Sequence, residues 1–244
     1  MIRGLASLAL VASLAATVAA CAGGSLPGPA SAAPSQPAAS ALPAGTYTTS
    51  AFQPAVTFTI PDGWEIVGDS ANYFQLSPVG AGQVDGIYLF RNPNAASQDP
   101  ACPDAAEAGV GATSFDLVPW IRSLPGLTVG NPAMATVGGL PGTSIDVRIK
   151  EGWTQSCSFA NGSPTVPLFS GGSAGYRWVM YGDERMRLYL LDLPSGGTLV
   201  INVDTVDGPY IDQIVARALP IIRSMSFATG SGASPAAASP SSAP

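Results

Sequence analysis

The sequence contains no histidine and a single lysine, Lys150. The first absence removes every mechanism that needs an imidazole base, including the Ser–His–Asp and Cys–His arrangements. It also removes the usual ligand sets of zinc and non-haem iron. Charge is scarce, at 11% of 244 residues, and sixteen acids outnumber ten bases. No stretch gathers bases with aromatics, so a nucleic-acid footprint is missing. The acidic balance disfavours phosphate backbones and anionic lipid surfaces. Apolar residues make up 46% of the chain, which is compatible with a globular core and not with wholesale disorder.

Cysteine is limited to Cys21, Cys102 and Cys157. The first stands where an apolar leader ends. Residues 1–20 read as a secretory signal: Arg3 supplies the positive start, "LASLALVASLAA" (5–16) is an apolar core, and small residues follow. The apolar run is marginal in length for a spanning helix. At its end Val18-Ala19-Ala20-Cys21 resembles the lipobox of bacterial lipoprotein precursors. That resemblance implies a diacylglyceryl thioether on Cys21, removal of the leader, and an acylated N-terminal cysteine. The alternatives are an ordinary secreted protein cleaved nearby and an uncleaved anchor. The expected location is the cell membrane, lipid-anchored on its extracytoplasmic face, with the membrane as first partner.

Residues 21–44 are rich in Pro, Ala, Gly and Ser, carry no charge and show no periodicity. They read as a disordered tether, and residues 229–244 as a disordered tail. The folded part is expected over residues 45–228.

Within it, period-two alternation recurs. "VTFTI" (56–60), a strand starting at Trp64, "NYFQL" (72–76) and "DGIYLF" (85–90) read as strands. In "TSIDVRIK" (143–150), Ile145, Val147 and Ile149 face one way and Ser144, Asp146, Arg148 and Lys150 the other. "GYRWVMY" (175–181), "RMRLYLLDL" (185–193) and "TLVINVDT" (198–205) follow. The turns between them are short enough for antiparallel neighbours. Two helices are predicted. The first covers 115–124, capped by Ser114 or Asp116, with Pro119 in or near its first turn. The second covers 208–225, with a stripe of Tyr210, Ile214, Ala218, Ile221 and Met225, bent or shortened by Pro220. Together these give a single α+β domain, a curved antiparallel sheet flanked by helices.

"FTIPDGW" (58–64), "TVGGLPG" (136–142) and "IIRSMSF" (221–227) resemble lipoproteins with a PsbP/Mog1-like sandwich. The resemblance implies an antiparallel sheet flanked by helices, whose last helix returns to a short terminal strand. It carries over no catalytic residues and points to a binding or accessory role.

Export would bring Cys102 and Cys157 into an oxidising compartment, where a structural disulfide is expected; a redox pair would be spaced more closely. Asp99, Asp104 and Glu107, with Asn94, offer oxygen ligands for Ca²⁺, but without EF-hand spacing, so a solvated loop is expected. Asn202 and Asp204 share a strand face, and Asp207-Gly208 reads as the start of the last helix. Asp183, Glu184 and Asp192 offer carboxylates for glycoside hydrolysis. Arg185 and Arg187 share an outer strand face; they offer a site for an anion, but pairing with Asp183, Asp146 or Asp192 at the surface is expected. Trp120, Trp153 and Trp178 read as core. The expectation is a non-catalytic binding or accessory lipoprotein of the envelope, with no cofactor and no metal, partnered by an unknown envelope protein or small ligand. The alternatives are a carboxylate-dependent glycan hydrolase and a carrier of an apolar ligand. The acids are expected on turns and outward strand positions, ionised in water.

Overall fold

The computed structural model describes residues 41–81, 85–172 and 176–229. Residues 1–40 and 230–244, with the expected signal, Cys21, most of the expected tether and the expected tail, lie outside the described residues. The elements begin with β1 (Gly45–Thr48), β2 (Val56–Ile60), β3 (Trp64–Asp69), β4 (Tyr73–Pro78), β5 (Gly86–Arg91) and β6 (Asn94–Ala95). Next come α1 (Ser114–Ser123), β7 (Leu127–Val129), β8 (Ala133–Val137), β9 (Leu140–Ile149), β10 (Thr165–Ser170) and β11 (Arg177–Tyr181). The chain closes with β12 (Arg185–Asp192), β13 (Thr198–Thr205), α2 (Ile211–Ser224) and β14 (Ser226–Phe227).

Alternation organises the main sheet, whose order is β3-β4-β5-β13-β12-β9-β7. Every pairing in it is antiparallel. The ten-residue β9 has two partners on one edge. Its first half pairs β8 and its end pairs β7. The β8–β9 turn is Gly138-Gly139, both at positive φ (57° and 82°), as a two-residue hairpin requires.

Each face of the sheet has its own core. On one, Ile214, Ala218, Ile221 and Met225 of α2 pack with Ile87, Leu89, Ile201 and Val203. The β1-β2-β14 sheet closes that side, with Phe58 and Val56 in the same cluster. On the other face, Leu117 and Ile121 of α1 meet Ile145, Val147 and Leu188. The β11-β10-β6 sheet supplies Val166, Leu168, Phe169 and Met180 there. The domain is thus mostly sheet with two helices.

Several local expectations are corrected. The segment 175–181 does not form a hairpin with 185–193. β11 pairs β10, and β12 pairs β13 and β9. The reason is β10, "TVPLFS", buried at all six positions. It shows no alternation and offers β11 a partner in a second sheet. Thr113, rather than Ser114, caps α1: its hydroxyl accepts from the Asp116 N–H, and the Asp116 carboxylate accepts back from Thr113. Pro119 stands in the second turn and not the first. Pro220 does not shorten α2, which runs to Ser224. Tyr210 is half exposed and lies outside the apolar stripe. Residues 42–44, expected in the tether, touch the domain: the Leu42 N–H donates to the Trp64 carbonyl at 2.8 Å and the Ala44 N–H to Asp62 Oδ1 at 2.7 Å.

Candidate functional site

Strand β13 is buried at all eight positions. Alternation sends Leu199, Ile201 and Val203 into the α2-side core and Val200, Asn202 and Asp204 to the opposite side. Asn202 and Asp204, read from the sequence as sharing a face, therefore face the small β11-β10-β6 sheet and not water. Both are essentially fully buried, at 0% and 1% exposure. Glu184, in the turn between β11 and β12, closes against Asp204 and is 3% exposed.

This corrects the expectation that the acids stay solvated. Burial pushes the Glu184 carboxyl up to about 7, partly offset by hydrogen bonds from Asp204 and from the Tyr181 N–H. Burial, then the Glu184 charge and the hydrogen bond to it, raises Asp204 well above the usual carboxylate range. Two acids in contact in a poorly solvated site hold one proton between them; Asp204 keeps it and donates to Glu184. The Asn202 side chain favours the Asp204 charge, but among the described residues neither its Nδ2 nor its Oδ1 has a hydrogen-bond partner. Among the described residues Asp204 Oδ1, Asp85 Oδ1 and Trp178 Nε1 also find no hydrogen-bond partner. Trp178 instead packs its ring on Tyr88 and Phe90, at 4.5 and 5.3 Å between centroids. Glu184, Asp204, Trp178 and Tyr181 line a cavity of about 170 Å³.

The predicted carboxylate set assembles differently. Asp183 and Asp192 are exposed, and Asp192 lies eight positions along the strand from Glu184, about 26 Å. Glu184 meets Asp204, a residue the sequence reading placed on a strand face without linking it to Glu184. Retaining hydrolysis needs carboxyls about 5–5.5 Å apart and inversion about 6.5–9.5 Å. A pair bonded to itself leaves no gap for a sugar bond or a water.

The loop acids are spent locally. Asp99 Oδ1 accepts from the Ala101 N–H, Asp104 Oδ1 from Ser170 Oγ, and Glu107 Oε2 from the Gln98 N–H. Asn94 Nδ2 donates to the Ser170 carbonyl. Among the described residues no three Asp, Glu, His or Cys side chains group as metal ligands. Cys102 and Cys157 are joined, with Cα atoms 5.7 Å apart. Asp207 precedes a short 3₁₀ turn, Gly208–Tyr210, and makes no side-chain cap. Trp120, Trp153 and Trp178 are partly buried against the core on the α1 side.

A second cavity, of about 290 Å³, opens on the other face of the main sheet beside the first turn of α2. Arg148, Arg185 and Arg187 line it, with Thr128, Asp146 and Asp212. Arg187 pairs with Asp146 through two hydrogen bonds, Nε to Oδ1 at 2.7 Å and Nη2 to Oδ2 at 2.9 Å. Of the three partners expected for the arginines, Asp146 is the one engaged.

No helix among the described residues is long and apolar enough to cross a membrane. No family model and no curated protein matches the chain. Among solved structures, the chain is similar to LpqN of Mycobacterium tuberculosis, involved in cell envelope biogenesis: 15% identity over 70% of this chain and 82% of that one, TM-score 0.39. It is also similar to PsbP (CyanoP) of Synechocystis, at 11% identity over 82% of this chain and 98% of that one, TM-score 0.37.

Proposed function

We propose that the chain is a lipid-anchored extracytoplasmic lipoprotein that acts as a non-catalytic binding or accessory module of the cell envelope. The leader and the Val18-Ala19-Ala20-Cys21 stretch support the anchor. The observation that carries the binding reading is the Glu184–Asp204 contact. Among the described residues, the Asp and Glu carboxyls with resolved upward shifts are bonded to each other, which leaves no catalytic separation between them. A second reading, a carboxylate-dependent glycan hydrolase, is favoured by one fact: a carboxyl near 7 lines a cavity, as a general base would.

Two measurements test the proposal. Expressed in a bacterial host, the full chain should incorporate a fatty-acid analogue; label retained by Cys21→Ser would overturn the anchor. Incubated with envelope polysaccharide, the purified protein should release no reducing sugar. Release that disappears in Glu184→Gln would establish the hydrolase instead.

A further inference from the structure

Arg148 of β9 and Arg185 of β12 stand directly opposite each other in the antiparallel register. Like charges at such a position repel and destabilise the pairing. In a chain with ten bases and sixteen acids, a carboxylate opposite each arginine would be the easy arrangement. Arg187, two residues along, has one in Asp146. Among the described residues, neither Arg148 nor Arg185 has an ion pair or a side-chain hydrogen bond.

The two guanidiniums are also placed, not merely exposed. Arg185 lies across the backbone of Gly208: a Cβ there would come within 2.9 Å of its Nε and 3.3 Å of its Cδ. The close approach fixes the stem of Arg185 against the entrance to α2. Thr128, opposite Arg148 on β7, adds a hydroxyl to the same row. Ile211, at the start of α2, provides an apolar flank. Asp212, in the first turn of α2, is the one acid in the groove not bound to Arg187, so cationic charge remains in excess.

We propose that Arg148 and Arg185, with Thr128, form a binding site for a small organic phosphate. Two guanidinium forks facing each other across adjacent strands offer more donors than one carboxylate can accept. A phosphate monoester presents three terminal oxygens and close to two charges, and takes both forks. A groove of about 290 Å³ suits a ligand the size of a sugar or glycerol phosphate. A phosphatidylglycerol headgroup is a diester with two free oxygens and one charge and does not fill both forks, so the soluble monoester is the occupant. The inference deepens the binding reading above and rests on it. The two fail separately, since acyl labelling and sugar release read out the one and phosphate titration the other.

The test is calorimetric titration of the protein with glycerol 3-phosphate at low ionic strength. Succinate serves as the carboxylate comparison, and flotation with phosphatidylglycerol vesicles as the lipid arm, using protein with Cys21→Ser. Saturable binding of glycerol 3-phosphate is expected, weakened at least about tenfold in Arg148→Gln and in Arg185→Gln. Arg122→Gln, at an exposed position of α1, should leave it unchanged. Neither groove variant should unfold earlier than the parent, because each removes one of two facing positive charges; weak binding then cannot be blamed on lost folding. No binding of glycerol 3-phosphate, equal binding of succinate, preferential flotation with the vesicles, or affinity unmoved by both groove substitutions would each overturn the proposal.

Discussion

The Asp204 carboxyl donates a hydrogen bond to the Glu184 carboxyl beneath β11, with both residues at most 3% exposed. An acid whose pKa is raised in the folded state binds its proton more tightly there than in the unfolded chain. The stability linked to Glu184 is therefore complete below its ordinary value of 4.5 and is lost as the pH rises through about 7. The change amounts to about 3 kcal/mol. Asp204, shifted in the same direction, carries the loss further upward. The urea midpoint should fall between pH 5 and pH 8. Glu184→Gln should flatten that fall and be more stable than the parent at pH 8. A variant whose pH profile follows the parent's would contradict this.

Asp69 works with the opposite sign. Its two oxygens accept from the backbone N–H groups of Ser50, Ala51 and Phe52 and from Ser50 Oγ, at 2.6–3.3 Å. Burial disfavours its charge, but these donors outweigh burial and hold its pKa below the ordinary value of 3.8. The clasp positions Phe52, which is fully buried. Asp69→Ala should cost about 2 kcal/mol at pH 7. The cost should shrink as the pH falls through the lowered pKa, where the parent protonates too. Denaturant titrations of both proteins at pH 7 and pH 3 check it.

The Cys102–Cys157 bridge closes a loop with a sequence separation of 55. Chain-entropy arithmetic assigns about 4 kcal/mol to such a closure. Replacing both cysteines by serine should lower the unfolding free energy by that order, measured without reductant. Proteolysis should then enter the 97–112 loop, whose few contacts with β10 include the Gln98 and Asp104 hydrogen bonds. An unchanged midpoint would show that the loop is held by those contacts alone.

Gly142 pairs with Leu191 in the antiparallel β9–β12 ladder. A Cβ at this position would run into the Leu190 carbonyl oxygen and come within 2.7 Å of the Leu191 Cα. Backbone cannot yield as a flexible side chain can. Gly142→Ala should therefore destabilise by about 1–3 kcal/mol, seen as a lower melting temperature. Gly63→Ala, with open space around the Cβ position but a φ of 87°, should cost about 1 kcal/mol from backbone strain alone.

What the sequence determined by itself is the set of segments whose burial is one-sided. Residues 143–149 alternate because one face meets a core and the other meets water, and a period of two records that difference. The α2 stripe from Ile214 to Met225 was legible on the same principle at helical spacing, and outward strand positions offered Asp146 as one of three partners for the arginines, of which the register chose it. Strand β10 was not legible, because burial at all six positions erases the period. Asn202 and Asp204 were read as sharing a face, but what covers that face is a sheet built from residues 94–95, 165–170 and 177–181. Alternation tells which way a side chain points and not what lies above it. The meeting of Glu184 with Asp204, and of Arg148 with Arg185, depends on turns and on a register between strands far apart in sequence. Only the tertiary structure decided those, because burial and charge proximity are properties of the packed chain and not of any local stretch.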